Sequence, residues 1–179
     1  MSTTLGRAFR LVVLCSALLP VIVSAQPRAD PDEEDDKKAW SELEVKLPPY
    51  PKPANLLRFE VSAASDNHFY IDPDSLAVGD DGIVRYTLVI RSPGGPENVS
   101  YEGIRCETRE QKSYAFGRRD GTWVNARVSE WRGIEYKDIN RQHGVLYLDF
   151  FCPDKKRPVG SSKDIINRFK YGAPPRGGA

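Results

Sequence analysis

Histidine and cysteine, the side chains on which most metal centres and many nucleophilic sites are built, are scarce here. Two histidines, His68 and His143, and three cysteines stand in 179 residues. A structural metal site needs more ligands than these supply. The chain also lacks a Gly-x-Ser-x-Gly elbow and a glycine run that would cradle phosphate. It has no excess of one charge: 26 Lys+Arg stand against 25 Asp+Glu, for a net +1. Bulk attraction to nucleic acid or to an anionic membrane is therefore not expected. No apolar run reaches the roughly 20 residues that a spanning helix needs. Catalytic, cofactor and metal sites are all expected to be absent.

What is present begins at the N-terminus. Arg7 and Arg10 precede an apolar run from Leu11 to Val23, and Val23-Ser24-Ala25 brings small residues before Gln26. This is the pattern of a secretory signal peptide over residues 1–25, cut between Ala25 and Gln26. As an anchor the run is too short, and Pro20 interrupts it. Cys15 lies mid-run and leaves with the leader, as do two arginines and no acid. Cys106 and Cys152 remain. An even pair in an exported chain reads as a disulfide; a free reactive thiol or a metal pair are the alternatives. The bond would close a loop of about 46 residues, contributing about 4 kcal/mol on the chain-entropy account. The expected location is periplasmic, with the cell surface or the medium as alternatives.

Residues 26–39 hold six acids and almost nothing apolar, so disorder is expected there. One domain is expected over residues 40–172 and a flexible tail over 173–179. Pro48, Pro49, Pro51 and Pro53 force an extended path, read as a strap over the core, with Trp40, Leu43, Val45 and Leu47 docking first. From Leu56 the hydrophobic period is 2. Leu57, Phe59 and Val61 share a face, and HFYID predicts a second short strand. GDDG marks a turn. GIVRYTLVIRS predicts a half-buried strand with Val84, Tyr86, Leu88 and Ile90 inward. NVSYEGIRC, KSYAFG and TWVNARV follow with short breaks, which implies an antiparallel meander. From about Lys137 to Cys152 the period changes. Ile139, His143, Leu146 and Phe150 recur every three or four residues and predict a helix; Gly144 weakens it, and a strand GVLYLDFF is the alternative. A last helix carries the capping box Ser161–Asp164, an apolar face of Ile165, Ile166 and Phe169, and a stop at Gly172.

Several stretches carry chemistry-bearing residues, each with a plainer reading. Asn98-Val99-Ser100 fits a glycosylation sequon, which bacterial export would leave bare. Asp72, Asp74, Asp80 and Asp81 invite a calcium reading, but Leu76 occupies a ligand position, and turn-shaping is preferred. His143 reads as a packed residue on a helix face rather than a base. Lys155, Lys156, Arg157 and Lys163 form a basic cluster, read as a solvated loop rather than a docking site for an acidic partner. Trp123 and Trp131 flank VNARVSE, as hairpin packing before a binding platform.

The blocks WSELEVKLPPYP, FYIDPDSLAVGDDGIVRYTLVIRS, NVSYEGIRCETREQKSYAFG, WRGI and LYLDFFC, in that order, resemble the CNP-one-like family of exported bacterial proteins. The resemblance runs from about Trp40 to Tyr171. It implies an envelope protein of undetermined role and brings no catalytic residue with it. A looser similarity, carried by Asp72, Ser75, Cys106, Trp131–Ile134 and Cys152, is to the surface-adhesin protein E-like family. It implies an antiparallel sheet with a helix tied to it through the disulfide, and binding rather than catalysis.

The expected fold is α+β: a twisted antiparallel sheet with a C-terminal helix packed on one face and tied to it by one disulfide. The expected function is a non-enzymatic binding module of the bacterial envelope, with an envelope protein or polymer as partner. An exposed apolar or aromatic patch would mark it. An assembly or folding factor is the first alternative, marked by an open groove or an unpaired sheet edge. An enzyme with a carboxylate site hidden from sequence is the second, marked by a deep cleft with converging acids.

Overall fold

The computed structural model describes residues 40–135 and 141–172. The leader with its Ala25–Gln26 cleavage point, the acidic stretch 26–39 and the tail 173–179 lie outside the described residues. Within them, alternating apolar strands and short polar turns give one antiparallel sheet. β1 (Leu57–Phe59), β2 (His68–Val78), β3 (Ile83–Arg91), β4 (Glu97–Arg105), β5 (Glu110–Gly117) and β6 (Trp123–Asn125) follow in chain order. β7 (Arg132–Gly133) comes back to pair with the start of β5. The β2–β3 turn is the GDDG stretch, closed by the Gly82 N–H on the Gly79 carbonyl, with Gly82 at φ 75.

β2 is longer than the short strand expected. It runs past Asp72 through an irregularity before Ala77. Pro73 offers no N–H to a ladder, which is why the strand breaks register there. Asp72 accepts the Asp74 N–H, and the Ser75 hydroxyl stands in for a missing backbone acceptor by taking the Thr87 N–H at 2.9 Å. Asp72 and Asp74 thus shape a kink within a strand, not a turn between strands.

Of the helix expected from about Lys137 to Cys152, the part before Arg141, with Ile139, lies outside the described residues; the rest is helical as far as Phe151. α1 (Arg141–Val145) widens into a π-helical turn over Leu146–Phe151, where the Cys152 N–H bonds the Tyr147 carbonyl at 2.8 Å. α2 (Ser162–Tyr171) starts at the Ser161–Asp164 capping box and ends at Gly172, φ 88. Phe59, Ile71, Tyr86, Leu88 and Ile104 pack against Leu146, Phe151 and Ile165. That core draws on β1 to β4 and on no residue of β5 or β6. Cys106, just past β4, joins Cys152, just past the π turn, at S–S 2.05 Å and Cα–Cα 5.5 Å.

β3 departs from the half-buried strand expected: Ile83 to Val89 are buried on both faces. The reason is the strap. Residues 40–52 have no regular secondary structure and lie over the sheet face opposite the helices. Its grip is mainly polar and aromatic: Val45 packs on Tyr101, Tyr114 and Ala115, but Leu43 and Leu47 stay exposed. Glu42 accepts hydrogen bonds from Lys112 at 2.8 Å, Tyr114 at 2.7 Å and Trp131 at 3.3 Å. Trp40 donates to the Asp81 carbonyl and lies 3.8 Å from the Arg105 guanidinium. Tyr50 packs on Trp123, whose indole N–H reaches the Pro48 carbonyl at 2.9 Å. Gly103 lets Tyr114 lie this close: a Cβ there would meet the Tyr114 hydroxyl at 2.6 Å.

Candidate functional site

The residues singled out in sequence scatter. His68 is exposed at the start of β2, and Asn98 is exposed near the start of β4. Asp81 is consumed by Arg85, which it holds through both carboxylate oxygens at 2.6 and 3.1 Å, and by the Leu43 N–H. The Arg85 guanidinium keeps its carboxyl below the usual range, outweighing a burial that would raise it. Lys155, Lys156, Arg157 and Lys163 are exposed on the turn after Cys152 and at the start of α2. Trp123 and Trp131 belong to the strap's anchorage. Among the described residues no group of three His, Cys, Asp or Glu side chains is placed to hold a metal ion.

Two features were not read in advance. The first is a buried acid–base pair between sheet and helix. His143 of α1 meets Glu102 of β4 at 2.8 Å. The same carboxylate accepts from Tyr86 at 3.0 Å and Ser100 at 2.7 Å. All four side chains are buried. Burial would raise the Glu102 pKa, but the facing imidazole and these hydrogen bonds hold it below the ordinary value. Burial would lower that of His143, but the carboxylate carries it above the ordinary value. Both shifts favour the ionised forms; the carboxylate's donors are met, while His143 Nδ1 is buried without a hydrogen-bond partner among the described residues. With three donors on one carboxylate and all of them enclosed, the pair functions as a polar strut between layers.

The second feature is open to solvent. Because the helices cover β1 to β4 only, the same sheet face is bare over β5 and β6. Gln111 and Phe116 of β5, Val124 of β6 and Arg132 of β7 project there, since each lies opposite a partner on one face: Gln111 beside Ile104 and Arg132, Phe116 beside Ser100 and Val124. The segment after β6 brings Arg127, Val128 and Glu130 to the far wall. The result is a groove of about 570 Å³. Phe116, Val124 and Val128 remain 46%, 38% and 55% exposed. Arg118, Arg127 and Arg132 are exposed at the rim, and none makes an ion pair among the described residues. The groove holds one acid, Glu130. A smaller cleft of about 420 Å³, near Ser62, Phe69, Ile90 and Gln142, presents no such set of charges.

A family model, the CNP1-like family, matches residues 35–170. The chain belongs to the CNP1-like family. In this CNP1-like chain the match takes in the strap, the whole sheet and both helices, so the groove and the buried pair both lie within the family's domain. No curated protein and no solved structure matches the chain. No helix among the described residues is long and apolar enough to cross a membrane.

Proposed function

We propose that the protein is an exported, non-enzymatic binding module of the bacterial cell envelope and that the groove over β5 and β6 is where its partner docks. The observation that carries this reading is the coincidence, in one concavity, of three exposed apolar side chains with three arginines that make no ion pair among the described residues. A contiguous apolar patch ringed by unspent donors is what a partner removes from water. The one Glu–His pair described is enclosed away from the groove, and the groove offers a single acid, so the features suit recognition better than acid–base turnover. Export is supported by the leader at residues 1–25 and by the Cys106–Cys152 bond, which persists in oxidising compartments. A second reading, an envelope assembly or folding factor, is favoured by the open form of the groove, which suits an incompletely folded client.

A photo-crosslinking residue at Val128, expressed in the native envelope, tests the proposal. Adducts at Val128, and none from the same probe at Lys156 on the basic turn, are expected. A pattern with no adduct at Val128, together with turnover on a panel of envelope substrates, would move the protein to the enzyme class.

A further inference from the structure

We infer that the groove recognises an extended acidic polypeptide segment, one that sets an aliphatic or aromatic side chain between carboxylates. The inference rests on the reading of the groove as a docking site and goes on to name the chemistry of the partner. Guanidinium groups match carboxylates in paired donor geometry; Arg127 and Arg132 make no ion pair among the described residues, and Arg118 feels only the exposed Asp120 carboxylate nearby. Between them Phe116, Val124 and Val128 form an apolar floor that takes one or two side chains. Gln111 adds a third requirement. Its Oε1 atom is buried in the wall and has no hydrogen-bond partner. That carbonyl oxygen wants a donor, which a peptide N–H supplies.

The remaining features exclude other partners. Glu130 stands in the same wall as the arginines. A uniform polyanion such as a nucleic acid strand meets repulsion there, whereas a peptide can place a neutral residue opposite it. An acyl chain of an anionic lipid has nothing to offer Gln111. The volume, about 570 Å³, suits a segment of a few residues. The β5 backbone beside the groove is not free to add a strand. The Tyr114 carbonyl already accepts the Ala126 N–H, and the Ser113 carbonyl accepts the Ser129 hydroxyl. The segment is therefore read by side chains lying on the sheet face, which makes recognition depend on its sequence.

The experiment is fluorescence anisotropy with labelled peptides of about eight residues, in which Asp and Glu flank Leu or Phe, against isosteric Asn and Gln versions. The acidic peptides should bind at least about tenfold more tightly than the amides, the scale of a charge-assisted hydrogen bond. Their affinity should fall as salt is raised from about 50 to 300 mM. Arg127→Ala, Arg132→Ala and Phe116→Ala should each weaken binding about tenfold. All three sites are exposed, so near-UV circular dichroism should stay unchanged. Lys156→Ala, on the basic turn, should leave binding intact. Equal binding of acid and amide peptides, or loss on Lys156→Ala instead of the groove variants, overturns the inference. So does stronger partition onto vesicles of anionic phospholipid than onto the acidic peptides. If Val128 forms envelope adducts while no acidic peptide binds, the acidic-segment inference falls and the docking role of the groove stands.

Discussion

Glu102→Gln removes one charge from the layer between sheet and helix and keeps the shape of the side chain. The carboxylate it replaces stands 2.8 Å from His143, an imidazole held above its ordinary pKa. In the wild type, that raised value contributes stability in full below about pH 6.5, and the contribution is lost as pH rises through the folded-state value. Glu102 behaves in mirror image: its lowered value contributes fully above about pH 4.5 and is lost as pH falls through the folded-state value. The pair is therefore at full strength between about pH 4.5 and 6.5. In the variant only burial acts on His143, so its value drops below the ordinary one. The variant then gains stability as pH rises towards about 6.5, and beyond that the wild type loses it. At pH 5 the deficit of the variant should be about 3 kcal/mol or more, the cost of breaking a buried pair. From there to pH 8 the gap should narrow, nowhere faster than about 1.4 kcal/mol per pH unit for one proton. That corresponds to about 3–6 °C in Tm per unit for a chain of this size. Urea denaturation at unit pH steps from 5 to 8, on wild type, Glu102→Gln and His143→Gln, measures it. A gap that stays constant or widens towards alkaline pH would refute the ionised pair.

Three further outcomes are expected. Cys106→Ser opens a loop of 46 residues and should cost about 4 kcal/mol in urea denaturation under non-reducing conditions; an unchanged midpoint would return Cys106 to the reactive-thiol reading. Gly103→Ala drives a methyl against the Tyr114 hydroxyl and Ile83 and should lower stability by about 1–3 kcal/mol, whereas a neutral result would show that the strap face has slack. Glu42→Ala strips Lys112, Tyr114 and Trp131 of their shared acceptor, so hydrogen exchange at the Leu43 amide should accelerate along with a loss of about 1–3 kcal/mol; unchanged protection would mean that the strap is held elsewhere.

Features marked by local spacing, or by a residue type with only one available partner, were legible. The Ser161–Asp164 box, the GDDG turn and the Cys106–Cys152 pair follow from spacing or parity alone, and the meander follows from short turns. What was hidden depends on chain segments far apart. Glu102 looked like one more inward position of a strand, since period 2 records a face and says nothing about what covers it. Its partner His143 is 41 residues away. Likewise β3 showed alternation, but its second face is covered by a strap that grips chiefly through Glu42, Trp40 and Tyr50, with Val45 packed beside them. The groove was missed because Arg118, Arg127 and Arg132 have no regular spacing. They meet only because β6 and β7 both return to β5. Arginines before, within and after WVNARVSEW were the available signal, and the two tryptophans drew attention instead.

The strap also fixes an order of events. Its contacts reach from Glu42 to Trp131 and from Pro48 to Trp123, separations of 89 and 75 residues. The stretch that is synthesised first among the described residues is thus among the last to be locked, because its holdfasts do not exist until the sixth and seventh strands have been made. Until then the tyrosines and valines of the middle strands face water on that side. A nascent chain of this family must therefore pass through an interval in which its sheet has one finished face and one sticky one.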